Sequence, residues 1–347
     1  MAEDFNSTIQ RKKEHIELCL ADKVRFKDKT NGFEHYDFKH YAITEVEKDK
    51  IDFTTTFLKK KINYPFLISC MTGGTAQAKN INAQLARAAN ELNIPMGVGS
   101  QRQVLDNKDY YYSYKVIRKE AQSIPLLGNI GASQIVKMNN FDQVQNVVDL
   151  IEADAMVVHL NATQELLQLK GEPYFLGLLK KMEKLVKLVN VPIIIKEVGA
   201  GISKIAGEKL LETGIKGIDI AGAGGTSWAA VEILRSNEGT DNPFWDWGLP
   251  TSFCIKEVFK LKKKHKFVLI GSGGISTPFD AAKAFALGAD ITASAGTILK
   301  ELDKNGEGGV KNLVISWFEV IRKIMFLTGS YKINDLRNKI ILKEKLY

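Results

Sequence analysis

Cysteine, proline and long apolar runs are all scarce in this chain. Its 347 residues include three cysteines (Cys19, Cys70 and Cys254), scattered without metal-ligand spacing. Such spacing excludes a disulfide framework and a cysteine zinc site, and it fits a reducing cytoplasm. No apolar run approaches the ~20 residues of a membrane span. The first seventeen residues are polar and carry acids, so they read as neither a secretory signal nor a transit peptide. Aromatic residues make up 9% of the chain, and none interleaves the basic runs Lys59-Lys60-Lys61 and Lys262-Lys263-Lys264. The net charge of +8 is therefore read as solvated loops and helix ends, compatible with an anionic small substrate, and not as a nucleic-acid surface. No G-x-G-x-x-G follows the first strand candidate, which weighs against a doubly wound dinucleotide fold.

What is present is a regular alternation. Short apolar runs at 65–69, 96–99, 126–130, 155–160, 191–198, 217–221, 267–271 and 290–295 read as buried strands. Amphipathic stretches at 76–92, 141–152, 174–189, 204–213, 252–264, 278–287 and 310–327 read as helices. Eight such units predict an α/β protein, a closed (β/α)8 TIM barrel. Residues 1–64 form an N-terminal extension with a basic helical segment at 11–20. Residues 65–330 form the barrel, and 331–347 read as a charged tail. An aromatic insertion after strand six, 229–250, is a lid, an oligomer contact or a packed surface loop.

The most informative stretch follows the fourth strand: His159-Leu160-Asn161-Ala162-Thr163-Gln164-Glu165. A carboxylate there suits a hard cation, and the imidazole and amides suit a phosphate or a proton transfer. A plain helix cap is the alternative. The glycine-rich exits Gly271-Ser272-Gly273-Gly274-Ile275-Ser276 and Ala295-Gly296-Thr297 let backbone N–H groups approach a phosphate. Lys196 ends an apolar strand, where it must meet an anion or solvent; a Schiff base and a cation beside a cofactor stay open, whereas pairing with Glu197 is disfavoured because adjacent strand residues face opposite ways. Arg11, Lys12 and His15 share a basic helical segment, and Arg102 stands just past the second strand.

Taken in order, RKKEHI, MTGG, GSQR, GNIGA, HLNATQE, KEVG, AGAGGTSW and GSGGIS resemble the FMN-dependent type 2 isopentenyl diphosphate isomerases, across roughly residues 11–317. The resemblance implies FMN, Mg2+, NADPH as reductant, a five-carbon diphosphate substrate and a homo-oligomer, tetramer or octamer. By motif, Met71, Thr72, Gly73, Ser100, Asn129, Lys196 and Thr226 would contact FMN, with Gly274, Ser276, Ala295 and Gly296 at its phosphate. Arg11, Lys12, His15, Ser100, Gln101, Arg102, His159, Asn161 and Gln164 would line the substrate site. Glu165 would ligate Mg2+, and Gln164, His159, Asn161 and Lys196 would carry the chemistry. Two positions depart from the family pattern: Ala221, where serine is common, and Ser276, where arginine is common. The competing class is an FMN oxidoreductase of the α-hydroxy-acid oxidase type, which needs a His–Arg pair near the sixth exit. A nucleophilic-cysteine dehydrogenase is a further competitor.

Overall fold

The computed structural model describes residues 2–345. Eight parallel strands close into a barrel. They are β1 (Phe66–Ile68), β2 (Met96–Gly97), β3 (Leu126–Gly131), β4 (Ala155–Leu160), β5 (Ile193–Glu197), β6 (Gly217–Asp219), β7 (Val268–Gly271) and β8 (Ile291–Ser294). β8 pairs with β1 to complete the ring. Each falls on an expected apolar run, because a strand buried on both faces carries no polar alternation.

The period of two sorts each strand's side chains. Leu67, Leu127, Val157, Ile194 and Ile270 fill the barrel interior, while Phe66, Leu126, Val158, Ile195 and Leu269 belong to the outer core. The same alternation, continued two residues up the chain, aims Asn129, His159 and Lys196 at the mouth. The opposite end is plugged by the hairpin Thr55–Phe57 and Lys60–Ile62. Its Phe57 and Ile62 are buried against the interior cluster. Lys60 anchors it through Asp154, 2.8 Å away just before β4.

Three segments differ in detail from their sequence-based expectation. The insertion after strand six opens as helix rather than loop: Trp228–Arg235 is helical, leaving a loop only at 236–250. That loop is tied to the extension. The Trp245 indole N–H donates to the Arg25 carbonyl at 2.9 Å, and Asp246 accepts from the amides of Lys27 and Asp28, both at 2.8 Å. The last helix is longer than expected, running from Gly296 to Leu327 with a break at Gly306, where φ is 65°. The expected tail is not free. Its apolar Ile340–Leu342 pairs antiparallel with Tyr36–Phe38, and Leu336 is buried; residues 346–347 lie outside the described residues. The N-terminal helix, α1 (Ala2–Leu20), packs against the helices Trp228–Arg235 and Gly296–Leu327. No described helix is long and apolar enough to cross a membrane.

Candidate active site

A cavity of about 600 Å³ opens at the carboxyl ends of the strands and is roofed by α1. Of the residues singled out in the sequence, all but Gln101 line it: the expected flavin set, the phosphate-end set, Arg11, Lys12, His15, Arg102, His159, Asn161, Gln164 and Glu165. Gln101 is turned inward and fully buried. Its amide donates to the Val147 carbonyl at 2.9 Å and accepts from the Asn129 backbone N–H at 2.9 Å, so it braces β3 and does not face the cavity.

His159 takes its orientation from β3. Its Nδ1 lies 2.8 Å from Asn129 Oδ1, while the Asn129 amide is spent on the Val98 carbonyl at 3.0 Å. Asn129 can therefore only accept, which puts the imidazole proton on Nδ1 and leaves a lone pair on Nε2. Burial, and then the Lys196 ammonium, push this imidazole down to about 4, so it is neutral at physiological pH.

The helix Ala162–Leu167 carries the next group. The Asn161 amide donates to Glu165 Oε1 at 2.9 Å, and Glu165 Oε2 accepts from the Glu172 backbone N–H at 2.7 Å. Asn161 Oδ1 is buried without a partner. An unpartnered amide oxygen and a buried carboxylate are both oxygen donors of the kind that a hard cation takes. Among the described residues no cluster of three or more His, Cys, Asp or Glu could hold a metal alone. This pair therefore suits an ion that keeps water and substrate oxygens in its shell, as Mg2+ does.

Sequence reasoning missed Glu232. It sits on the helix Trp228–Arg235, 1% exposed, and collects three donors. Gln164 Nε2 donates to its Oε1 at 3.0 Å, His15 Nε2 lies 3.1 Å from the same oxygen, and Arg235 donates to Oε2 at 2.6 Å. Burial raises this carboxyl's pKa, but His15, Gln164 and Arg235 outweigh that and hold it below the usual range. The available signal was a charge inside an otherwise apolar helix, Trp228-Ala229-Ala230-Val231-Glu232-Ile233-Leu234, since such a charge is tolerated only with partners.

α1 brings a cationic face to the same opening. Lys12 donates to the Gly73 carbonyl. Burial, and then Arg11, push its ammonium down to about 7. Arg11 is also held below its ordinary value, by burial first and then by Arg102. Cations that depress one another around an open cavity are arranged for an anion. Across the mouth, the helix beginning at Gly296 has no side-chain cap, so its first amides stay free. A Cβ at Gly296 would meet nothing nearer than Thr226 Oγ1 at 3.7 Å, and Gly274 adopts φ 66°. This cradle fits a phosphate. Ser276 contributes less: its amide and hydroxyl are directed at Asp280, at 3.1 and 3.3 Å. Cys19 and Cys70 also line the cavity, but burial pushes their thiols up to about 11 and about 12, which makes them poor nucleophiles.

Residues 7–108 and 137–343 match the FMN-dependent dehydrogenase family. An isopentenyl-diphosphate delta-isomerase of Chlorobium phaeobacteroides is 42% identical over 348 residues, spanning 96% of this chain and 95% of that protein. One from Pelodictyon phaeoclathratiforme is 40% identical over 357 residues, spanning 99% of each. A solved flavocytochrome b2 variant with sulfite bound superposes with a TM-score of 0.71 at 19% identity, covering 95% of this chain and 83% of its own, a likeness of fold alone.

Proposed function

The chain belongs to the FMN-dependent dehydrogenase family and, within it, to the isopentenyl-diphosphate delta-isomerases, and from that premise we propose how its cavity works. The protein is a flavoprotein isomerase that interconverts isopentenyl and dimethylallyl diphosphate. Moving the double bond requires a proton at the terminal carbon and loss of one from C2. An unactivated alkene is a weak base, so the acid must be well placed and water kept out.

The donor set supports a division of labour. The amides at Gly274 and Gly296, beside Ala295 and Ser276, would hold the FMN phosphate. Met71, Thr72, Gly73, Ser100, Asn129, Lys196 and Thr226 would surround its ring. Arg11, Lys12, His15 and Arg102 would bind the diphosphate, and Glu165 with Asn161 Oδ1 would offer oxygen donors to Mg2+. Gln164, held by Glu232, would face the reacting carbons. The neutral His159 would present Nε2 to the substrate. When bound, reduced FMN supplies the acid–base pair and Mg2+ neutralises diphosphate charge. NADPH as the reductant, a cytoplasmic tetramer or octamer, and the absence of nucleic-acid or membrane partners complete the proposal.

One observation carries this reading. α1 brings Arg11, Lys12 and His15 to the same cavity as His159, Asn161, Gln164 and Glu165. An α-hydroxy-acid oxidase would need a His–Arg pair at the sixth exit, which here reads Gly222-Ala223-Gly224-Gly225-Thr226-Ser227-Trp228. The test is an anaerobic assay with FMN, Mg2+ and a reductant. Dimethylallyl diphosphate is expected from isopentenyl diphosphate, and its absence from flavin-loaded protein would overturn the proposal.

A further inference from the structure

A carboxylate lies in the barrel interior beneath the cavity. Asp219 is 2% exposed and faces Lys196 in register across β5 and β6. Lys196 Nζ stands 3.4 Å from Asp219 Oδ2 and donates to the Glu197 carbonyl at 3.0 Å. The other carboxylate oxygen accepts from the Ser272 hydroxyl. That hydroxyl in turn accepts from the Ala221 amide at 3.1 Å. Ala221 holds φ 36°, an unusual conformation for a residue with a side chain.

Lys196 and Ser272 line the cavity, whereas Asp219 does not. Asp219 is therefore shielded from any occupant. Burying a carboxylate is costly unless it is paired, and an apolar residue of similar size would be cheaper. Among the described residues the one cation within ion-pair distance of it is Lys196. What Asp219 does, it does through that amine.

We infer that Asp219 is a positioning residue, holding the Lys196 ammonium in place at the floor of the cavity, so that the preference of the site for reduced over oxidised FMN depends on a carboxylate the flavin never touches. The inference rests on the reading of the cavity as a flavin site. Without Asp219, the amine loses the partner that stands 3.4 Å from it and is free to swing from that position. The field favouring an electron-rich flavin then weakens. Ser272 keeps the carboxylate aimed, so its loss has a smaller effect in the same direction.

The experiment is a redox titration of FMN-loaded protein against a reference dye, which gives the ratio of the oxidised to the reduced FMN dissociation constant. Asp219→Asn is expected to lower that ratio at least tenfold, and Lys196→Met by a similar factor. The double variant should fall no further than either single one, because both remove one interaction. Ser272→Ala, which keeps both charges, should give a smaller fall and carries the test if Asp219→Asn does not fold. An unchanged ratio, a raised ratio or additive losses in the double variant would each overturn the assignment. Wild-type protein that takes up no FMN from a saturating solution would defeat the flavin reading itself, and this inference with it. Normal wild-type binding with unmoved variants would defeat the inference alone.

Discussion

Gln164 and Glu232 meet side chain to side chain at 3.0 Å, though they stand on different helices after different strands. The amide has no freedom to flip: Nε2 is committed to Glu232, and Oε1 accepts from the Asn161 amide at 3.3 Å. A carboxylate can only accept, so it fixes which end of Gln164 points where. Glu232→Gln removes that constraint, because the new amide can donate as well. Loss of one such bond, worth roughly 1–3 kcal/mol when a buried group is left unpaired, should lower kcat about tenfold to a hundredfold while FMN absorbance stays unchanged. Steady-state kinetics beside a spectrum would settle it, and an unaltered kcat would remove Glu232 from the working site.

Glu165 tests the cation. Glu165→Gln keeps the side chain's size and can still accept from either the Asn161 amide or the Glu172 N–H, but not both, and it withdraws the charge that a hard cation needs. Most activity should disappear, bound FMN should remain, and the Mg2+ concentration for half-activity should rise. Wild-type behaviour at limiting Mg2+ would contradict the proposed ligand.

Much of this site was legible because a strand's period of two is rigid. Once Val157 and Ile194 are known to be interior, His159 and Lys196 must follow them at the mouth. Loops lack that rule, and so Gln101, between two cavity residues, turned out to brace β3 instead. Asp219 and Glu232 were hidden for a different reason. Each is a single acid in an apolar run, and its partner comes from another segment, so the pairing exists only after folding. The eight strands were readable for the same reason as His159. The helical start of the insertion was missed because its glycine-rich approach and aromatic residues look like loop.

The bottom of the barrel offers a stability prediction separate from catalysis. Phe57 closes the interior against Leu67, Leu127 and Ile194. Phe57→Ala should cost about 3–5 kcal/mol, the range for emptying a buried aromatic site. Urea unfolding should show the midpoint falling, while folded protein retains its flavin spectrum. A change within a few tenths of a kcal/mol would mean that the hairpin is not the plug it looks to be.

Lys12 makes substrate binding depend on pH. In the free enzyme its ammonium is held down to about 7, by burial first and then by Arg11. A bound diphosphate supplies a counter-charge and raises that value. Between the two values the free enzyme is neutral at Lys12 and the complex is charged, so binding takes up a proton. Affinity should thus fall as pH rises above about 7 and level off below it. Calorimetry in buffers of different ionisation enthalpy reads the proton directly, and Lys12→Met should abolish the uptake. Cleavage within α1 by a protease should also slow when substrate and Mg2+ are added. PH-independent affinity in the wild type would mean that Lys12 does not meet the diphosphate.

Isomerisation involves no net oxidation, and this separates the chain from the oxidases whose fold it shares. If reduced flavin serves as acid and base, dithionite or NADPH should switch activity on anaerobically, after which product should far exceed the reductant consumed. In D2O, deuterium should enter both the product and recovered substrate, because protons are added and removed at carbon in both directions. Gln164→Asn should slow this exchange without changing the flavin spectrum, since the shorter side chain keeps the amide but withdraws it by one methylene from the reacting carbons. An oxidoreductase would instead consume one reductant per product. A stoichiometry near one, with no deuterium in recovered substrate, would leave the acid–base role without support even if the protein is fully loaded with FMN.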